Sequence, residues 1–375
     1  MSTKLELNTT SRAFGSVYRY IQGPGEIFNI FNYAEEYGSN ILFVADSGVF
    51  SLVRSKIETV KDTHSMGYSF VEFNGECCWD YVHELAKIAR NANCDVICAL
   101  GGGKVLDTIK LVSDEIDKPR IIVPTSASND APAANWAALY TPEGIHISGI
   151  PVRRCTDLVL VDSEIIVLAP SRLFAAGIGD AYATYYEAMA NENSRSPSFL
   201  GSYLRCRASM SIASVCKQLL DEKGISAYES VKKHELTSDV EDVIEANILL
   251  SGLGFVNAGC AGAHAYHSGI SELTETQQFL HGEKVAFGLI CQMFYENVST
   301  EIIFDTVRLL SSFDLPVTMS QLGAEISDDN LEIIAQHMLD KNALIYHEVE
   351  NPSAEKIKSA LIQADSFGRK YLYGT

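Results

Sequence analysis

The chain is predicted to fold as an α/β amino-terminal domain on a parallel, doubly wound sheet, followed by an all-α carboxyl-terminal domain. Three observations lead there. Through roughly the first 165 residues, short β-branched runs alternate with amphipathic stretches, the pattern of parallel strands covered by helices. From Pro170 onward the alternation stops, and long segments rich in Ala, Leu, Ile and Glu follow helical spacing. At 375 residues the chain also exceeds the size at which one core stops growing, so the expectation is two domains, residues 1–168 and 169–375.

In chain order, Asn40 to Ala45 (NILFVA), Tyr68 to Phe73, Asp95 to Leu100 and Arg120 to Val123 read as strands, with a helix at Trp79 to Asn91. The segment around Gly144, TPEGIHISGIPVRR, is a β excursion near the domain boundary, and Asp157 to Asp162 (DLVLVD) is the last strand. Helices are expected at Leu173–Ala190, Phe199–Asp221, Asp239–Leu253, Glu283–Asn297 and Ser353–Lys370, with Asn191 to Ser198 a polar turn. The sequence carries no repeat, low-complexity tract or disordered tail.

Charge and composition exclude several function classes. Forty-eight acidic against 29 basic side chains give a formal charge of -19, which repels phosphate backbones and anionic membrane surfaces, so neither nucleic acid nor membrane is an expected partner. The start, MSTKLELNTTSR, lacks a signal-peptide core, and no run reaches the roughly 18 apolar residues of a membrane span. The chain reads as cytosolic. Nine cysteines, an odd number scattered from Cys77 to Cys291, make no disulfide framework; Cys94 and Cys98 lack the second pair a zinc ribbon needs.

Chemistry concentrates first in CALGGGKVLDTIK, where an apolar run enters Gly101, Gly102 and Gly103 and then a helical pattern. Such glycines let the backbone approach a diphosphate, and the helix-start amides favour an anion; a strand-to-helix turn needing positive φ is the other reading. Asp46 ends the strand ILFVAD. There it either accepts ribose hydroxyls, favouring NAD over NADP, or caps the helix that follows. After RIIVP, Thr125, Ser126 and Ser128 offer hydroxyls for a ribose or phosphate, and Asp130 sits in a turn on the same crevice or simply forms that turn.

Three metal-competent side chains lie downstream: Asp180 in GIGDAYATYYEA, His264 in GCAGAHAYHSG and His281 in LHGEKVAFG. Asp180 is expected at the start of a helix, where it would alternatively serve as an N-cap. His264 and His267 are spaced i, i+3 in an Ala- and Gly-rich helix, and His281 opens another. An Asp/His/His set leaves a fourth tetrahedral position open, as catalytic zinc requires. A dinucleotide on one half and a divalent metal on the other point to a dehydrogenase.

Taken together, GGGKVLDTIK, PTSASNDAPA, GIGDAYATYYEA, AHAYH and HGEKVAFG resemble, in order and spacing over essentially the whole chain, the glycerol dehydrogenase branch of the iron-containing (group III) alcohol dehydrogenases. The resemblance implies a Rossmann-like NAD-binding domain, a helical domain, and an active site in the cleft between them. It assigns Asp180, His264 and His281 as metal ligands and Asp130 as the polyol contact, with His267 either relaying a proton or packing. Asp46, Gly101, Gly102, Gly103, Lys104, Val105, Leu106, Asp107, Thr125, Ser128 and Tyr140 would contact the cofactor. Iron-dependent members place a histidine four residues after the aspartate, where this chain has Thr184, so zinc fits better than Fe2+ or another divalent ion. Ala134 and Trp136 depart from the branch, at positions expected near the nicotinamide. The implied reaction is reversible oxidation of glycerol to dihydroxyacetone by a homo-oligomer, commonly an octamer. Rival readings are another vicinal diol, a 2-oxo or 2-hydroxy acid, a glycerol phosphate bound by Arg153 and Arg154, net-redox-neutral chemistry of the dehydroquinate synthase kind, or a non-catalytic binding protein.

Overall fold

The alternating first half builds a six-stranded parallel sheet. The computed structural model describes residues 10–340 and 343–374. The strands are β1 (Tyr20–Gly23), β2 (Asn40–Asp46), β3 (Gly67–Phe73), β4 (Val96–Gly101), β5 (Arg120–Pro124) and, beyond a hairpin of β6 (Trp136–Tyr140) and β7 (His146–Pro151), β8 (Leu158–Asp162). Their spatial order is β1-β8-β5-β4-β2-β3. From β2 the chain steps outward to β3 and then returns across β2 to β4. The strand order therefore reverses between β2 and β4, where a ligand crevice opens beyond the carboxyl ends of such strands. Asp46, Gly101 and the residue after Pro124 all stand at that edge, since Ala45 pairs with Leu100 and Gly101 with Pro124.

Period-two alternation divides the buried strands between two cores. Ile41, Phe43, Ala45, Val96 and Cys98 pack under Ile27, Phe31, Val53 and Ile57. Leu42, Val44, Ile97 and Ala99 pack under α1 (Trp79–Asn91) and α2 (Gly103–Ile116), in a core that continues into the helical half. That half includes α3 (Ser171–Ser194), α4 (Arg207–Val231), α5 (Ser238–Glu245), α6 (Ser251–Ala258), α7 (Gly262–Ile270), α8 (His281–Tyr295) and α9 (Ala354–Tyr373). No single helix among the described residues is long and apolar enough to cross a membrane.

Several boundaries differ from the sequence expectation, each for a physical reason. The helix expected at Phe199 starts at Arg207, because Phe199 turns in against Trp136 and Phe255 and Gly201 takes a φ of 106°. Asn191 to Ser198 is not wholly a turn: α3 runs to Ser194, since buried Asn191 donates to Glu187 O and Cys260 O. The helix expected at Asp239–Leu253 is interrupted by a π turn at Ala246–Leu250. Edge strand β1 gave no sequence signal.

Asp180 is the main correction: it lies mid-way along α3, not at a helix start. The glycines before it are there for close approach. A Cβ at Gly177 would stand 1.8 Å from Ala127 O, and one at Gly282 1.8 Å from Ala176 O, so the loop after β5, α3 and α8 meet backbone to backbone. Asn247, in the π turn, clasps the same junction by donating to Ala127 O at 3.1 Å and Phe174 O at 3.3 Å. Exchanging a mid-helix Gly for Ala ordinarily stabilises by about 1 kcal/mol. Gly177→Ala is expected to do the reverse, costing about 1–3 kcal/mol as an overpacked site does, read as a drop of several degrees in the thermal unfolding midpoint.

Candidate functional site

Three helices converge on one point. Asp180 comes from the middle of α3, His264 from the first turn of α7, and His281 is the first residue of α8. Asp180 Oδ1 lies 3.4 Å from His264 Nε2 and 3.2 Å from His281 Nε2, and the two nitrogens are 3.3 Å apart. Asp180 is 1% exposed, and neither of its oxygens has a hydrogen-bond partner. Burial works against its charge, but the facing His281 and His264 rings outweigh this and hold the carboxyl below the usual carboxylate range. A buried, unbonded carboxylate costs several kcal/mol unless a cation meets it. The residues present therefore fit a divalent metal: three ligand atoms on a near-equilateral triangle, one of them an orphaned buried anion.

Beyond the triangle, Glu187 fixes His264. Its Oε2 lies 2.8 Å from His264 Nδ1, while its Oε1 accepts the amides of Ala261 and His264 at 2.8 and 2.9 Å. An ionised carboxylate only accepts, so Nδ1 carries the proton and Nε2 presents its lone pair to the triangle. The remaining free amides at the start of α7 are also taken: Gly262 N by Glu348 Oε1 and Ala263 N by Gln292 Oε1, each at 2.9 Å. Side chains from three separate elements thus lock the turn that carries His264. Two buried acids, Asp180 and Glu187, match the charge of one divalent ion. On the far side, His281 Nδ1 meets His267 Nε2 at 3.1 Å. Burial, reinforced by His281 and Lys284, keeps His267 well below the usual histidine range and so neutral.

Asp130, in the loop after β5, accepts a hydrogen bond on Oδ2 from Ser251 Oγ at 2.8 Å. Ser251 Oγ lies 3.1 Å from Thr184 Oγ1. Burial and the nearby Asp180 charge push the Asp130 carboxyl up to about 7, with the Ser251 hydrogen bond opposing them. A carboxyl poised this way is a feature of working sites.

The dinucleotide candidates line the sheet edge. Gly101 backs onto Asp46: a Cβ there would lie 2.7 Å from Asp46 Cβ. Asp46 does not cap the next helix, which begins at Phe50; its Oδ1 accepts Gly48 N at 2.9 Å. Gly102 is the N-cap of α2 and offers no side-chain cap. The amides of Gly103, Lys104 and Val105 at the first turn are therefore the groups free to meet an anion. Thr125 N donates to Gly101 O, and Ser126 and Ser128 hydroxyls lie 3.1 Å apart beside it. The side chains of Val105 and Leu106 are buried in the core, leaving only their backbone to the loop, and Lys104 pairs with Glu76.

Other cofactor candidates also make contacts within the protein. Asp107 accepts Lys110 Nζ at 2.8 Å and Ala138 N at 2.9 Å, and Lys110 also donates to Ala131 O and Trp136 O, tying α2 to the hairpin. Ala134 lines a small cavity with Gly15, Leu253 and Val256, and Trp136 packs edge-on against Phe199 at 5.0 Å. Tyr140 packs against His146. Glu187, Ser251 and His146 were not singled out from sequence. Glu187 had a signal: Asp180, Thr184, Glu187 and Asn191 fall at i, i+4, i+7 and i+11, a polar stripe along an Ala-rich helix, and all four are buried.

Comparisons with known proteins agree with this fold. The family described as iron-containing alcohol dehydrogenase matches residues 18–163. The glycerol dehydrogenase of Thermotoga maritima is 34% identical over 363 residues, 94% of this chain and 96% of the relative. The glycolaldehyde reductase of Halobacterium salinarum is 34% identical over 95% of this chain and 98% of its own. A solved structure of a probable glycerol dehydrogenase from Sinorhizobium meliloti 1021, 35% identical, superposes with a TM-score of 0.90 over 96% of this chain and 99% of that one.

Glu187→Gln tests the outer layer. An amide nitrogen facing His264 Nδ1 moves the ring proton to Nε2, where a metal must bind. The variant is expected to hold zinc about 10–100-fold more weakly in competition with a chromophoric chelator, while its circular dichroism stays that of the parent.

Proposed function

Since the chain belongs to the iron-containing alcohol dehydrogenase family, we propose that it oxidises glycerol reversibly to dihydroxyacetone, with NAD as acceptor and zinc as its metal. The observation that carries this reading is the buried, unbonded Asp180 facing two imidazole nitrogens at 3.2 and 3.4 Å. Glycerol is the substrate for which relatives such as the Thermotoga glycerol dehydrogenase are named.

Zinc is supported by the triangle's edges. A tetrahedron with edges of about 3.3 Å has its centre about 2.0 Å from each corner, the distance zinc takes to nitrogen and oxygen. Six-coordinate ions with ligands at about 2.1 Å would bring neighbouring ligands closer, to about 3.0 Å. Thr184 supplies no further nitrogen, because its hydroxyl is turned to Ser251. When bound, a divalent ion lowers the pKa of the substrate hydroxyl and stabilises the charge that develops on its oxygen. Bound NAD would supply the acceptor for the hydride from the same carbon.

The chain's own residues do the rest. Asp130 accepts a hydrogen bond from a neighbouring hydroxyl of the polyol. His264 is held in its metal-facing tautomer by Glu187, and His281 by the contact of its Nδ1 with His267. With its Nε2 facing His281 Nδ1 and its ring kept neutral, His267 acts by orienting His281. At the other end, Asp46 accepts the adenosine ribose hydroxyls and repels a 2'-phosphate, which favours NAD. A Cβ at Gly102 would meet nothing within 4 Å, so the protein's own packing does not demand glycine there, and the space is left for a diphosphate. Assembly as a homo-oligomer belongs to the same reading, supported by exposed Phe14, Tyr18 and Tyr203.

A second reading, a small hydroxycarbonyl or another vicinal diol as substrate, is favoured by the Halobacterium relative. NADH formation from glycerol and NAD+ tests the first: chelator-stripped protein is expected to be silent and to regain turnover with zinc. Absence of turnover in both folded samples contradicts it, and zinc-dependent turnover confined to other substrates selects the second.

A further inference from the structure

Of the four buried positions on the α3 stripe, Thr184 is the one explained neither by the metal nor by a bond to the backbone. Asp180 faces the triangle, Glu187 holds His264, and Asn191 bonds the backbone. Thr184 is 4% exposed and Ser251 is fully buried, and burying two hydroxyls costs free energy unless each is bonded. They bond each other at 3.1 Å, and Ser251 bonds Asp130 Oδ2 at 2.8 Å. Ser251 donates its one proton to Asp130 Oδ2, so its oxygen is left to accept from Thr184.

Asp130 sits on a loop, which by itself does not hold a side chain to a binding geometry. Two contacts from the helical half supply what the loop lacks. Asn247 grips the loop's backbone at Ala127 O, and Ser251, four residues on, grips its acid. Both flank or belong to the π turn at Ala246–Leu250, a local irregularity of the kind that gathers at working sites. With Oδ2 taken by Ser251, the carboxylate's orientation is set and Oδ1 remains for a ligand.

We propose that Thr184 and Ser251 are positioning residues that aim the Asp130 carboxylate at the second hydroxyl of the substrate, and so give the enzyme its preference for a vicinal diol over a mono-alcohol. This rests on the polyol reading above. A metal-bound oxygen is common to both alcohols, so only the group that reads the second hydroxyl separates them.

The experiment compares kcat/KM for propane-1,2-diol with that for propan-2-ol in the zinc-loaded parent, Thr184→Val, Thr184→Ser and Ser251→Ala, with bound zinc and NADH affinity measured alongside. Val matches Thr in shape but lacks the hydroxyl. The expected result is that Thr184→Val and Ser251→Ala lower the diol-to-mono-alcohol ratio about tenfold, mostly through the diol KM. Thr184→Ser retains the parent ratio, and zinc content and NADH affinity do not move. Equal losses on both alcohols, or an unchanged ratio in Thr184→Val, overturn the proposal while leaving the polyol reading intact. A parent without preference for the diol overturns it too. A parent that turns over neither alcohol, nor glycerol, removes the polyol reading and the proposal together.

Discussion

A carboxylate that is almost wholly buried and accepts no hydrogen bond is the constraint around which the helical half is organised. Removing an ion from water costs several kcal/mol even after relaxation. What offsets that for Asp180 is a cation, and two imidazole nitrogens from other helices face the same oxygen at a spacing that suits one. The neighbouring geometry follows. Gly179 and Gly282 stand where α3 and α8 meet backbone to backbone, which brings Asp180 and His281 together, and Gly177 where α3 meets the loop after β5. Glu187 is required because His264 serves only in one tautomer.

One helix distributes these duties. In the proposed reading, a buried polar stripe along α3 gives the metal a ligand, the substrate acid a support and the histidine ligand an orienting carboxylate, each about a helical turn from the next. Such a stripe destabilises an isolated helix, and it is tolerated because every member finds its partner on a different element: Ser251, His264, Cys260 and the triangle itself. The sheet contributes the other reactant. Its strand order reverses between β2 and β4, which sets Asp46 and the glycine turn side by side without any contact encoded locally.

Features governed by local periodicity were legible from sequence. The strands at Asn40, Tyr68, Asp95 and Arg120, the helix at Trp79, and the turn at Gly101 all appear where alternation and glycines indicated. What misled was the dual use of glycine. In GIGD it signals close approach of another backbone rather than a helix start, and one sequence does not distinguish these. Likewise Phe199 reads as a helix residue until Trp136 and Phe255, both far away in sequence, supply a pocket for it. Ser251 has no local signature, because its partners Thr184 and Asp130 lie 67 and 121 residues away. Glu187 was readable in principle from its spacing to Asp180 within the helix expected at Leu173–Ala190.

The account stands on a three-ligand metal site in which the fourth position is free of protein. X-ray absorption at the zinc edge of the reconstituted protein tests it most directly. The expected spectrum is that of a four-coordinate ion with two imidazole nitrogens and two oxygens at about 2.0–2.1 Å. Scattering from a third imidazole, or a six-coordinate shell, would contradict the assignment of Asp180, His264 and His281 as the complete protein ligand set.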